Sequence, residues 1–163
     1  YFLPIFLLIL IIVLKTVPKI DPKKENYKAF QKYYELFIIA FTIFFAILHT
    51  LILKTSFDPG SVRMETVMPM LIGLLFTLIG VLFLKFDHNY FVGIKTPWAL
   101  ADPENWKATH KFASPFWIAG GLLMALTSVI LPNISFALTM SIIAVIAIVP
   151  MVYSYVIYKK KKK

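Results

Sequence analysis

The chain has 163 residues, of which 60% are hydrophobic, 16% aromatic and only 15% charged, with a mean hydropathy of +0.79. A water-soluble globule is nearer half apolar and a quarter charged, so that class is excluded. The net charge of +9 arises from cations placed between apolar runs rather than interleaved on one basic face, which argues against direct nucleic-acid binding, and the lack of Cys removes disulfides and thiolate chemistry.

Five apolar runs follow one another at about 1–14, 36–53, 67–84, 115–131 and 134–158. They predict an all-α integral membrane protein with five transmembrane helices in a single helical domain. A helix needs about 20 apolar residues to cross a hydrocarbon core of about 30 Å. The first run has 14 residues before Lys15, and at about 1.5 Å per residue it spans only roughly 21 Å. It begins without Met and without a charged leading segment, so it does not read as a signal peptide. The expectation is that part of this helix, and one further helix, lie upstream, giving six in the full protein.

The loops predict an orientation. The segment Lys15–Lys32 carries six Lys, Lys85–Lys111 carries four, and the tail Lys159–Lys163 carries five. The alternate segments, 54–66 and 132–133, hold only Lys54 and Arg63. Cations concentrate on the cytoplasmic side of membrane proteins, so the two long loops and the tail are expected to be cytoplasmic. Within the runs, Gly73, Thr77 and Gly80 share one helical face, as do Gly121 and Ala125, and small residues let helices approach closely. Pro69, Pro115 and Pro150 are expected to mark kinks.

The two cytoplasmic loops resemble each other. Glu25-Asn26-Tyr27-Lys28-Ala29-Phe30-Gln31-Lys32-Tyr33 aligns with Glu104-Asn105-Trp106-Lys107-Ala108-Thr109-His110-Lys111-Phe112, with five of nine positions identical and two aromatic exchanges. Each follows an Asp-Pro pair, Asp21-Pro22 or Asp102-Pro103, a helix-start signal because Asp accepts from free amides and Pro suits the first turn. Segments 21–33 and 102–112 therefore read as two parallel internal repeats whose helices enter the bilayer with the same orientation. Each places Glu, Lys and Lys on one stripe, with Trp106 and His110, or Tyr27 and Gln31, on the next. Two readings follow: interfacial anchoring, or a shared polar site formed by helix ends that face each other.

Between the third run and the second repeat lies Asn89-Tyr90-Phe91-Val92-Gly93-Ile94-Lys95-Thr96-Pro97-Trp98-Ala99-Leu100, followed by Trp106, His110 and Lys111. This resembles the signature of the SdpI family of bacterial membrane proteins: Asn, an apolar stretch, Gly-Ile-Arg-Thr-Pro-Trp-Thr-Leu, a later Trp, then His or Asn and a basic residue. Asp21 to Tyr27 also resembles the first cytoplasmic loop of that family's N-terminal half. Lys95 departs from the usual Arg, keeping charge but losing the planar fork. The resemblance implies a six-helix protein of the bacterial cytoplasmic membrane. It further implies immunity to a secreted killing-factor peptide and, in some members, capture of a cytoplasmic transcriptional repressor.

From the residues themselves, Gly93 permits a turn or close backbone approach, Thr96-Pro97 imposes an extended step, and Trp98 offers an aromatic anchor beside Lys95. The loop can bind an anion or partner, fold back on the bundle, or lie against headgroups. Candidate ligand- or partner-binding residues are Asn89, Gly93, Lys95, Thr96, Pro97, Trp98, Trp106, His110 and Lys111, with Glu25, Asn26, Tyr27 and Lys28 from the first repeat. The expected partners are membrane lipid, a secreted peptide toxin and a cytoplasmic repressor. His49, His88 and His110 lack metal-site spacing, and neither a nucleophile elbow nor a Gly-rich phosphate loop occurs. No cofactor and no enzymatic activity are therefore expected. His49, within a span, is a functional candidate, because ionisable groups are costly there. Glu35 reads as a partner of Lys32. The competing reading is a small-solute or lipid transporter or channel built from the parallel repeats.

Overall fold

A computed structural model describes residues 2–162; Tyr1 and Lys163, which bound the first apolar run and the Lys tail, lie outside the described residues. The protein is all-helical. In chain order it forms α1 (Phe2–Ile20), a short 3₁₀ turn (Lys24–Asn26), α2 (Tyr27–Phe57), α3 (Met64–Phe83), α4 (Pro97–Ala101), α5 (Pro103–Ile130) and α6 (Pro132–Lys161). All but α4 are long and apolar enough to cross a membrane, five in total among the described residues. This is a multi-pass membrane protein.

The helices overrun the apolar runs. Helix α1 continues through Lys15 to Ile20 and includes Pro18. The 31 residues of α2 and 28 of α5 are about 46 and 42 Å long at 1.5 Å per residue, more than a hydrocarbon core requires. Both begin in the aligned polar segments 21–33 and 102–112, so each has a first turn outside its apolar stretch. Helical dihedrals break at Phe30 (φ −123°, ψ 16°), not at Pro69, Pro115 or Pro150, which the helices pass without interruption. The break in α2 thus falls at a position without proline.

Water expulsion does not drive helices together inside lipid; close packing and hydrogen bonds do. The α3–α5 contact shows both. A Cβ on Gly73 would collide with the Gly121 carbonyl and the Ala125 amide, so the two backbones touch where the small residues face each other. Ser114 Oγ donates to the Gly80 carbonyl at 2.7 Å, and Trp117 Nε1 donates to the Ile146 carbonyl of α6 at 3.0 Å. Leu122, Leu126, Val129 and Ile130 on α5 point outward, as a lipid-facing surface requires. At one end of the bundle, Ser135 Oγ of α6 donates to the Glu65 carbonyl of α3. At the other, lysine-rich end, α1 and α2 join the bundle through buried Tyr27, Phe30, Tyr34 and Phe86. The loop from Leu84 to Thr96 folds over this end, and α4 follows it.

Candidate functional site

Three polar clusters hold the lysine-rich end together. The first is centred on Asp21, which is 2% exposed. Its Oδ1 accepts from the Lys23 amide at 2.6 Å, and its Oδ2 accepts from Tyr27 Oη at 3.0 Å and the Tyr90 amide at 2.9 Å. A buried carboxylate is tolerated when donors surround it in this way. The expected helix start after Asp21 is corrected: the chain first makes a turn and the 3₁₀ segment, and α2 opens at Tyr27 without a side-chain cap. The carboxylate that would have capped a helix reaches across to the 84–96 loop instead.

The second cluster shapes that loop. Asn89 is fully buried, and its Oδ1 accepts from the amides of Phe91 (3.0 Å) and Val92 (2.7 Å) while its Nδ2 donates to the Asp87 carbonyl. Asn is suited to such a turn because its short amide reproduces backbone hydrogen bonding. Asn26 Nδ2 donates to the His88 carbonyl at 2.6 Å, tying the first repeat segment to the same loop. His88 in turn shares a ring nitrogen with the Leu100 carbonyl at 3.0 Å, so that Nε2 carries the proton.

Gly93 then brings the chain back onto α5. Its φ of +120° lies where L side chains are strained, and a Cβ there would strike His110 Nε2 and the Trp106 ring. The close approach lets the Ile94 amide donate to His110 Nε2 at 2.9 Å. His110 Nδ1 lies 2.8 Å from the Trp106 carbonyl. One ring nitrogen accepts and the other donates, which requires the neutral, Nδ1-protonated imidazole. Trp106 and His110, one helical turn apart, stack at 4.0 Å.

The third cluster joins the motif to α6. Thr96 Oγ1 accepts from the Ala99 amide and caps α4, whose first residue is Pro97. Ser154 Oγ donates to Asn105 Oδ1 at 2.8 Å, so Thr96 Oγ1 must donate to Ser154 Oγ across their 2.7 Å contact. Thr109 Oγ1 also donates to Asn105 Oδ1, while Asn105 Nδ2 donates to the Ser154 carbonyl. All four residues are at most 3% exposed. A fully satisfied buried network of this kind fixes one arrangement.

The sequence candidates thus divide by exposure. Asn89, Thr96, Trp106, His110 and Tyr27 are buried, while Lys95, Pro97, Lys111, Glu25 and Lys28 are exposed. Gly93, Asn26 and Trp98 lie between; the Trp98 ring packs edge-on against Tyr155 and Tyr158 of α6. A cavity of about 420 Å³ opens beside the second repeat segment, lined in part by Asn26, Asp87, His88, Lys107 and Lys111. Trp106 lines it too, and its buried Nε1 has no acceptor among the described residues.

The two aligned segments act alike at several positions. Asp21 and Asp102 each accept from the amide two residues on, Asn26 and Asn105 each donate to a carbonyl of another element, and Tyr27 and Trp106 are both buried. They differ in their charged stripes. Glu25 pairs with Lys28, whereas Glu104 and Asp102 both pair with Lys161 of α6. Glu35 accepts from Gln31 Nε2 rather than pairing with Lys32. His49 sits away from these clusters, half-buried, with Nδ1 lacking a partner among the described residues.

Asp21, His88, Asn105 and Ser154 were not among the sequence candidates. The Asp-Pro pair and the repeat alignment pointed to Asp21 and Asn105, but Ser154 carries no local signal, since its partners are 49 and 58 residues away in the chain.

Residues 85–154 match the SdpI/YfhL protein family. The chain is also 24% identical over 113 residues to the immunity protein SdpI of Bacillus subtilis (strain 168), covering 69% of this chain and 53% of that protein. It therefore spans about half the length of the curated relative. No solved structure matches significantly. Both matches support membership of the SdpI family, as the loop motif implied.

Proposed function

We propose that this relative of the SdpI immunity protein is itself a multi-pass immunity protein of a bacterial cytoplasmic membrane, protecting the cell against a secreted peptide toxin. The lysine-rich end faces the cytoplasm, in keeping with the excess of cations there. The buried part of the motif builds a rigid cap, and the exposed part contacts a partner. The protein works by binding, without catalysis.

The single observation that carries this reading is where the polar network falls. The Thr96–Ser154–Asn105–Thr109 hydrogen bonds and the Gly93–His110 approach all lie inside the family-matched stretch, residues 85–154. A chain that needed only to sit in lipid would gain little from burying so many polar groups there. The supported backbone places exposed Lys95 and Lys111 at the edge of the cap, beside Trp98, whose ring is held on Tyr155 and Tyr158. A backbone held in advance in this way loses little entropy on meeting a partner, which favours recognition. A cytoplasmic regulator is the partner this face would meet, and the toxin would meet the helices from the other side.

The test is survival. A sensitive bacterium expressing the full-length protein is challenged with secreted membrane-active peptides, beside an empty-vector strain. Protection against at least one peptide is expected. Equal killing of both strains across the panel, with the protein present in the membrane, would overturn the reading.

A further inference from the structure

We infer that the cleft between α1 and α2 at the lysine-rich end is a binding site for one anionic phospholipid. This rests on the membrane-spanning reading alone and is independent of immunity. The cleft has a volume of about 670 Å³. Lys15 and Lys19 enter it from α1, one helical turn apart; Lys24 enters from the 3₁₀ turn and Lys28 from the first turn of α2. Lys28 is engaged by Glu25 at 2.7 Å. Lys15, Lys19 and Lys24 have no carboxylate within salt-bridge distance among the described residues. Among the described residues the one acid lining the cleft, Glu35, is already held by Gln31.

Charge alone would fit any phosphate; the walls favour a lipid. Below the mouth the cleft continues along Ile38 and Ile39, inside the apolar stretch of α2, while Pro18 fills the α1 wall between Lys15 and Lys19. Ile39 is 53% exposed, so an apolar wall lies open directly below a cationic mouth. That order, cations at headgroup level and hydrocarbon beneath, matches a phospholipid lying along the helix pair. Basic pockets between spans on the cytoplasmic side commonly take anionic headgroups. The geometry around Tyr34 holds the cleft in shape, because its Oη donates to the Leu14 carbonyl at 2.7 Å and joins α2 to α1 just behind the lysines.

Native mass spectrometry of the full-length protein in detergent tests this, with titrations of phosphatidylglycerol, phosphatidylcholine of the same chains, and inorganic phosphate. One phosphatidylglycerol should be retained in preference to phosphatidylcholine and should resist displacement by phosphate. The triple change Lys15→Ala, Lys19→Ala and Lys24→Ala should weaken retention about fivefold for each lysine. The same positions changed to Arg should keep it, as should alanines at Lys159, Lys160 and Lys162. Ile39→Trp, with every lysine in place, should also lose the lipid by filling the apolar wall. Equal retention of the two lipids, equal loss in the tail variant, displacement by phosphate, or undiminished binding in Ile39→Trp would each overturn the site.

Discussion

Asn105→Ala gives the sharpest reading of how the motif is held. The side chain accepts from the Ser154 and Thr109 hydroxyls and donates to the Ser154 carbonyl. Its removal breaks three hydrogen bonds at a fully buried position. Two of the orphaned groups are hydroxyls on helices, which can turn back to carbonyls one turn earlier and recover part of the loss. The Ser154 carbonyl keeps its place in α6. Hydrogen bonds between membrane helices average about 0.6 kcal/mol, while a buried group left without a partner costs about 1–3 kcal/mol. Three bonds with partial recovery therefore give a loss of about 2–4 kcal/mol. The aligned residue Asn26 makes one bond, to the His88 carbonyl, from a half-buried position, so Asn26→Ala should cost about 0.5–1 kcal/mol. Reversible unfolding of both variants in the same detergent or bicelle measures the difference. Equal losses, or a loss under about 1 kcal/mol for Asn105→Ala, would refute the claim that this network secures the cap.

Further outcomes follow from single contacts. Gly93→Ala combines a positive φ with a collision against His110 and Trp106; it should cost at least about 2 kcal/mol and expose the Ile94 amide to faster hydrogen exchange. Gly121→Val pushes a side chain into the Gly73 carbonyl and Thr77, so α3 and α5 should separate and a cysteine crosslink between them should form less readily. Asp102 is held below the usual carboxylate range chiefly by the hydrogen bond from Lys161, with the Glu104 amide adding to it. A depressed carboxylate contributes stability above its unfolded pKa and loses it as pH falls through the folded value. In Lys161→Ala the Asp102 titration followed by NMR should therefore move up towards the ordinary range. Because that pair is open to solvent screening, with its side chains 44% and 31% exposed, the thermal midpoint near neutral pH should change little.

Much of the architecture was legible because it rests on composition and period. Apolar runs reported five spans, and small residues at Gly73 and Gly121 reported the face where α3 meets α5. Thr96-Pro97 reported an extended step, and Thr96 is indeed extended at ψ 150°; that the same pair also opens α4 depends on its capping contact with Ala99. Other features were hidden because they depend on distant partners. Asp21 carries the same Asp-Pro signal as Asp102, yet only Asp102 caps a helix directly; the 84–96 loop, folded over the turn, gives Asp21 another donor in the Tyr90 amide. The kink at Phe30 lacks Pro or Gly and belongs to the aromatic packing around Tyr27 and Phe86. Ser154, an ordinary residue within an apolar run, becomes a hub only when Thr96 and Asn105 arrive beside it.

The central claim is that exposed Lys95 and half-buried Trp98, at the edge of the cap, act, while the buried residues support them. Survival of toxin-challenged cells expressing Lys95→Ala and Trp98→Ala, at membrane levels matched to the unaltered protein, tests it most directly. The account predicts that protection is lost in both variants although both insert, with thermal stability in detergent kept in Lys95→Ala and lowered in Trp98→Ala by the lost packing on Tyr155 and Tyr158. Full protection in both, at matched levels, would contradict it and leave the motif as scaffold alone.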